Sequence, residues 1–251
     1  MENMFPKDES SSTPDENYRL EGPAETTKEM QDELMDVVEK YYKDHEVGED
    51  LIGQFMVHNA QVRNYIERFS AEEKFSDKEK EIAILAAILH DIAKGWGDFL
   101  KHGEKGGEIA EGILCDMGIS KDLAKSVRLA IERHMGPDGY PTRKAKEKFG
   151  ENFEYPKYQT KVGQMVFECD ILTQLTPEGF EKILLLREKD PQNVKEDESV
   201  AEEKNITVEK ARFLSVLESA KKSLDLVETE SIIKYAEELW QKIQEEYHEH
   251  L

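Results

Sequence analysis

Apolar residues recur along this chain at intervals of three and four, the spacing that gathers them on one side of a helix. The densest stretch is residues 79 to 94, EKEIAILAAILHDIAK, which is apolar almost all round from Ile82 to Leu89. Such a helix has no face suited to water and is expected at the centre of the fold. Before it, Met30, Leu34, Val37, Val38 and Tyr41 predict a helix from Thr26 to Lys43 with Thr27 as its N-cap. A second helix, Glu49 to Phe69, puts Phe55, His58, Val62 and Tyr65 on one stripe beside Ile52, Asn59 and Ile66, so that His58 faces inward. Gly95 and Gly97 are expected to end the central helix. Ile109, Ile113, Leu114 and Met117 then mark a helix that starts near His102 and closes at Gly118. Ser120 caps another that reaches His134, with Gly136 and Pro137 as its stop. Val162, Val166, Cys169 and Thr173 indicate a helix from Tyr158 to Leu175 with Asp170 among them, and Thr176 and Pro177 open a short one to Arg187. Phe213 to Leu226 and Ile232 to Ile243 describe two further amphipathic helices. No strand period or internal repeat stands out, so the fold class is all-α.

Three segments lack this pattern. Residues 1–25, rich in Ser, Pro, Glu and Asp, are expected to be a flexible acidic leader. Residues 135–157 form a polar loop of a length that marks functional or mobile segments. Residues 188–206, EKDPQNVKEDESVAEEKNI, are expected to be a charged linker. The organisation is then a helical domain over 26–187 and a C-terminal helical pair over 207–251. That pair packs back on the domain or on a partner, which leaves a homodimer through these helices open.

Composition narrows the partners. Lys and Arg total 34 against 55 Asp and Glu, a formal charge of -21, so the surface repels duplex nucleic acid. A small anionic substrate can still enter a metal-lined cleft, because a divalent ion outweighs distant surface charge. Cys115 and Cys169 lie in apolar helical patterns and read as core thiols. The N-terminus lacks the basic start and apolar run of a signal peptide, and no stretch approaches the roughly 18 apolar residues of a membrane span. A cytoplasmic location is expected.

The chemistry concentrates where the central helix ends. His90 and Asp91 stand side by side there, with Lys94 one turn on, and burying such groups is costly unless they are paired or bind a metal. Five of the seven histidines lie between residues 45 and 134. Taken alone, His58 on its apolar stripe reads as a hydrogen-bonded core residue, and Lys94 reads equally as a lysine favoured by a helix C-terminus. His45, His248 and His250 sit among charged residues and are expected to be solvated.

In order, His58, His90-Asp91, His102, His134 and Asp170 resemble the signature of the HD superfamily of metal-dependent phosphohydrolases, from about Leu51 to Leu175. The resemblance implies a helical core in which His58, His90, Asp91 and Asp170 hold a metal. It also implies a dinuclear site, with His102 and His134 as ligands of a second ion and Asp91 as the bridge. Imidazole with carboxylate suits iron or manganese, with nickel or zinc also compatible. Two divalent ions about 3.5 to 4 Å apart lower the pKa of a shared water and neutralise a phosphoryl group under attack. The implied function is a phosphohydrolase or phosphodiesterase that cleaves a phosphate ester or anhydride of a nucleotide or nucleotide-like molecule by metal-activated hydroxide. Lys94 is the candidate to steady the phosphate oxygens, and Arg143, in the loop, is a second candidate phosphate contact. Asp138, Gly139, Tyr140 and Pro141 resemble part of the HD-GYP cyclic-dinucleotide phosphodiesterase motif. The segment ERHMGPDGYP departs from that subgroup, and glycine and proline here read as a turn. Two other classes stay in view: a di-iron oxygenase of the inositol oxygenase type, and a binding or signalling module with a structural HD site.

Overall fold

The computed structural model describes residues 24–94, 99–134, 146, 148–150, 152–153, 158 and 160–247. The helices are α1 (Lys28–Asp44), α2 (Glu49–Glu72), α3 (Asp77–Leu89), α4 (His102–Asp116), α5 (Lys121–Glu132), α6 (Lys161–Gln174), α7 (Pro177–Lys189), α8 (Pro191–Lys204), α9 (Val208–Leu224) and α10 (Glu230–Glu246). A 3-10 turn, Phe99–Lys101, leads into α4. The described residues contain no strand, and the fold class is all-α. Most of the leader, Gly95, Gly97, Asp138, Gly139, Tyr140, Pro141, Arg143, His248 and His250 lie outside the described residues.

α3 is the hub, packed by α1, α2, α4, α5 and α6. Its start is a capping box: Ser76 Oγ accepts from Glu79 N, and Glu79 Oε2 accepts from Ser76 N at 2.8 Å. Every residue from Ile82 to Leu89 is buried. Ile82, Ile84, Leu85, Ile88 and Leu89 together supply on the order of 10 kcal/mol of gross burial free energy. Glu81 is buried as well, and its Oε1 is satisfied by the incoming chain. Its Oε1 accepts from Glu25 N at 2.7 Å, Thr26 N at 2.5 Å and Thr26 Oγ1 at 2.8 Å, while Lys78 pairs with Oε2 at 3.2 Å.

The expected caps are present at Thr27, Ser120 and Thr176, each accepting a backbone N–H of the first turn. Gly118 closes the turn after α4 with φ +82°, a backbone region that suits glycine. Two expectations need correction. The helix does not carry His90 and Asp91: α3 ends at Leu89, and residues 90–94 are a succession of turns closed by Ile92 N to Leu89 O and Lys94 N to Asp91 O. The segment 188–206 is not an unstructured linker, because it contains α8. Asp190 caps that helix through Gln192 N, Pro191 fills its first position, and Asn205 at φ 53° ends it. Its inward face is largely polar, with Asn193, Asp197 and Ala201 buried. Asp197 is fully buried between Arg187 Nε at 2.8 Å and Arg212 Nε at 3.4 Å. A helix held by an ion cluster leaves no apolar period to read.

The C-terminal pair packs on the chain itself. α9 lies against α7 and α8, and α10 lies against α7, α2 and α6. Their apolar residues Phe213, Val216, Ile232, Ala236, Leu239 and Ile243 are buried. Glu168 of α6 pins the turn between them, its Oε1 accepting from Glu228 N at 2.9 Å and Thr229 N at 3.2 Å. Both cysteines are free thiols, Cys169 buried and Cys115 half-buried. No helix among the described residues is long and apolar enough to cross a membrane.

Candidate metal centre

Four helices and the turn after α3 bring the six sequence-selected residues together. His58 comes from α2, His90 and Asp91 from the turn, His102 from the first position of α4, His134 from just past α5, and Asp170 from α6. His90, Asp91, His102 and His134 are buried, while His58 and Asp170 are mostly buried. Two glycines let α4 close on this cluster. A Cβ at Gly106 would lie 3.3 Å from His90 O, and one at Gly107 would lie 2.7 Å from Glu132 Cγ on α5.

Asp91 divides the cluster in two. Its Oδ2 faces His58 Nε2 at 3.4 Å and His90 Nε2 at 3.7 Å, and its Oδ1 faces His102 Nε2 at 3.4 Å and His134 Nε2 at 3.9 Å. Within the first half, His58 Nε2 is 3.0 Å from His90 Nε2 and 3.1 Å from Asp170 Oδ1. Within the second, His102 Nε2 is 3.2 Å from His134 Nε2. Lys94 Nζ donates to Asp91 Oδ2 at 2.9 Å.

The ring tautomers follow from the outer hydrogen bonds. His90 Nδ1 lies 2.9 Å from Ala87 O and His134 Nδ1 lies 2.6 Å from Ile131 O. A carbonyl only accepts, so each Nδ1 carries the proton and each Nε2 turns a lone pair into the cluster. Burial favours the neutral rings. It pulls His90 below its ordinary pKa and, together with neighbouring His102 and His90, lowers His134 to about 3. Burial opposes the charges of Asp91 and Asp170, yet Lys94 and the histidines outweigh it and hold both carboxyls below the usual range. Lone pairs and carboxylates that converge in a buried space are the kind of donors that could hold a cation.

Two tests of fit agree. Asp91 Oδ1 is buried with no hydrogen-bond partner among the described residues, an acceptor that a cation would satisfy. Two ligands each about 2.1 Å from a shared ion and at right angles lie about 3 Å apart, close to the spacing of His58 Nε2 from His90 Nε2 and Asp170 Oδ1 and of His102 Nε2 from His134 Nε2. Three overlapping groups have ligand atoms close enough to share an ion: His58, His90 and Asp91; His90, His134 and Asp170; and Asp91, His102 and His134.

Sequence reasoning did not single out Lys182 of α7. This half-buried lysine lies in the field of the cluster. Burial and Lys94 lower its pKa, while Asp91 and Asp170 oppose that shift. Its position next to Phe180 and Ile183 on the inner side of α7 was the available signal.

Residues 55–175 match the HD domain family. An 89-residue stretch is 34% identical to the bifunctional uridylyltransferase/uridylyl-removing enzyme of Vibrio atlanticus, covering 31% of this chain and 10% of that protein. The chain thus spans a tenth of the length of that curated relative. Among solved structures, Bacillus subtilis YpgQ in its SeMet form has a TM-score of 0.51 at 14% identity, covering 87% of this chain and 97% of the other. A predicted HD superfamily hydrolase from an uncultured Thermotogales bacterium has a TM-score of 0.43 at 19% identity, covering 77% and 91%. All six clustered residues fall inside the matched stretch, so the part of the chain that gathers them is its HD domain.

Proposed function

We propose that this chain is a metal-dependent phosphohydrolase that cleaves a phosphate ester or anhydride of a nucleotide or nucleotide-like molecule. The observation that carries the reading is the division of Asp91, one oxygen turned to each histidine pair. His58, His90, Asp91 and Asp170 would hold one divalent ion, and His102, His134 and the other oxygen of Asp91 a second. Iron and manganese suit this donor set best, with nickel and zinc also compatible. Divalent ions supply Lewis acidity there, lowering the pKa of water and neutralising phosphoryl charge.

The protein's own groups do the rest. The Nδ1 bonds of His90 and His134 fix both rings, so no reorganisation is needed when charge develops. Lys94 and Lys182 bring two ammonium groups to the edge of the cluster, where they would hold the non-bridging oxygens of a phosphate. Removal of a uridylyl group, the reaction in the Vibrio relative's name, is itself cleavage of a nucleotidyl phosphate ester and favours this substrate class.

The test is a screen of Mn²⁺-loaded and Fe²⁺-loaded protein against nucleoside mono-, di- and triphosphates, cyclic dinucleotides and a uridylylated peptide. Release of phosphate or nucleotide is followed beside oxygen uptake. Asp91→Ala should abolish release while remaining helical, and Lys182→Met should raise KM more than it lowers kcat. Undiminished release by Asp91→Ala would refute the assignment. Substrate-dependent oxygen uptake without phosphate release would replace it with oxygenase chemistry.

A further inference from the structure

Asp91 has to present its two oxygens in two directions, yet it sits beyond the last residue of α3, where the helical ladder no longer fixes the backbone. The hydrogen bonds that hold this turn come partly from other helices. Tyr42 of α1 is fully buried, and its hydroxyl donates to the Asp91 backbone oxygen at 3.0 Å. Asn59 of α2, also fully buried, donates through Nδ2 to Ile88 O at 3.0 Å. The two contacts bracket the His90-Asp91 pair. Packing fixes the Tyr42 ring, whose centroid lies 5.3 Å from that of Phe55. A carbonyl oxygen only accepts, so the hydroxyl serves as the donor. Tyr42 also lies outside residues 55–175, so this contact is contributed by the helix that precedes the family match.

We propose that Tyr42 and Asn59 are positioning residues for the metal centre, holding the backbone on either side of the His90-Asp91 pair so that the Asp91 carboxylate spans the two histidine pairs. The inference rests on the six-residue centre proposed above. Its physical basis is reach: the carboxylate is separated from the anchored backbone by two rotatable bonds, and metal–ligand distances tolerate only about ±0.2 Å. A turn free to shift by more than that would serve one pair of imidazoles at the expense of the other.

The test is titration of metal-free full-length protein with Mn²⁺, with the free ion followed by its electron paramagnetic resonance signal. Thermal unfolding of the metal-free proteins is recorded in parallel. Tyr42→Phe keeps the ring and loses the hydroxyl, and Asn59→Ala loses the second anchor. Each is expected to weaken Mn²⁺ binding about tenfold or more, the scale of other outer-shell losses at metal sites. Tyr158→Phe is the structural control, because it removes a hydroxyl bond of similar length, to Glu228 at 2.9 Å, where α6 meets the C-terminal pair. That variant should unfold earlier by a similar margin and bind Mn²⁺ as the parent does. Parent-like affinity in Tyr42→Phe, or an equal loss in Tyr158→Phe, would overturn the inference. Should Tyr42→Phe not fold, parent-like affinity in Asn59→Ala would do the same. A parent that binds no Mn²⁺ would instead remove the metal centre itself, and the inference with it.

Discussion

The closeness of α4 to α5 makes a sharp prediction at Gly107. Replacing a helical glycine by alanine ordinarily stabilises by about 1 kcal/mol, through chain entropy and helix propensity. At Gly107 the added Cβ would lie 2.7 Å from Glu132 Cγ, 3.0 Å from Arg128 O and 3.2 Å from Arg128 Cγ. The carbonyl belongs to the backbone of α5. The two side chains are paired with each other, and Arg128 also holds Glu111 at 2.9 Å, so neither yields freely. Overpacking of this kind costs about 1 to 3 kcal/mol, which cancels or exceeds the propensity gain. Gly112 is the control: it lies in the same helix, is exposed, and would meet nothing within 4 Å. The propensity term is common to both variants, so their difference isolates the steric cost. Gly112→Ala should be more stable than the parent by about 1 kcal/mol, with Gly107→Ala about 1 to 3 kcal/mol below it. Urea unfolding of the metal-free proteins at a common m-value measures this, and the thermal midpoints should separate by about 2 to 4 °C per kcal/mol. A Gly107→Ala protein as stable as Gly112→Ala would refute the argument that the glycine pair sets the distance between α4 and α5.

Asp197→Ala leaves Arg187 and Arg212 facing each other without their shared buried carboxylate, and a broken buried pair of this type costs about 3 to 5 kcal/mol. Urea unfolding should register that loss, with hydrogen exchange speeding up first in α8 and α9; a loss under about 1 kcal/mol would show that the cluster is not what holds α8. Burial raises the pKa of Glu168, while its hydrogen bonds from Thr229 and Gln164 only partly oppose it. The folded state therefore binds this proton more tightly than the unfolded state, and stability falls as pH rises from about 4.5 through the raised pKa. Metal-free Glu168→Gln should then gain on the parent as pH rises toward 8 and lose that advantage toward pH 4.5. A pH-independent difference would argue against it.

The gathering of the candidate residues was legible because they carry their chemistry in their type and order. His58, His90, Asp91, His102, His134 and Asp170 are drawn from several segments, and the helical period that places His58 inward also buries the end of α3. Caps at Thr27, Ser120 and Thr176 were equally plain, since a hydroxyl before an apolar period has a local function. What escaped was structure made by polar groups acting across the fold. α8 presents Asn193 and Asp197 inward, so its helical period is written in residues that usually face water. Around the end of α3 at Leu89, the carbonyls of Asp91 and Ile88 are taken up by Tyr42 and Asn59, partners from helices that local reading treats separately. Tyr42 itself lies beside the half-buried Tyr41, which the apolar spacing had favoured. Lys182 was hidden for a related reason, because its meaning comes from α7 crossing near the cluster rather than from its neighbours in sequence.

The bonds from Glu25 and Thr26 to Glu81 bear on how this protein can be shortened. The described fold begins well ahead of residue 55, where the family match starts, and its first fastening is to the hub helix rather than to the surface. A fragment trimmed to the match would lack α1 altogether. One trimmed to the start of α1 would keep the helix and strip three donors from a carboxylate that remains buried. Expression boundaries for this protein therefore belong at or before residue 24, and a fusion partner placed there adjoins the segment fastened to the helix that leads into the His90-Asp91 turn.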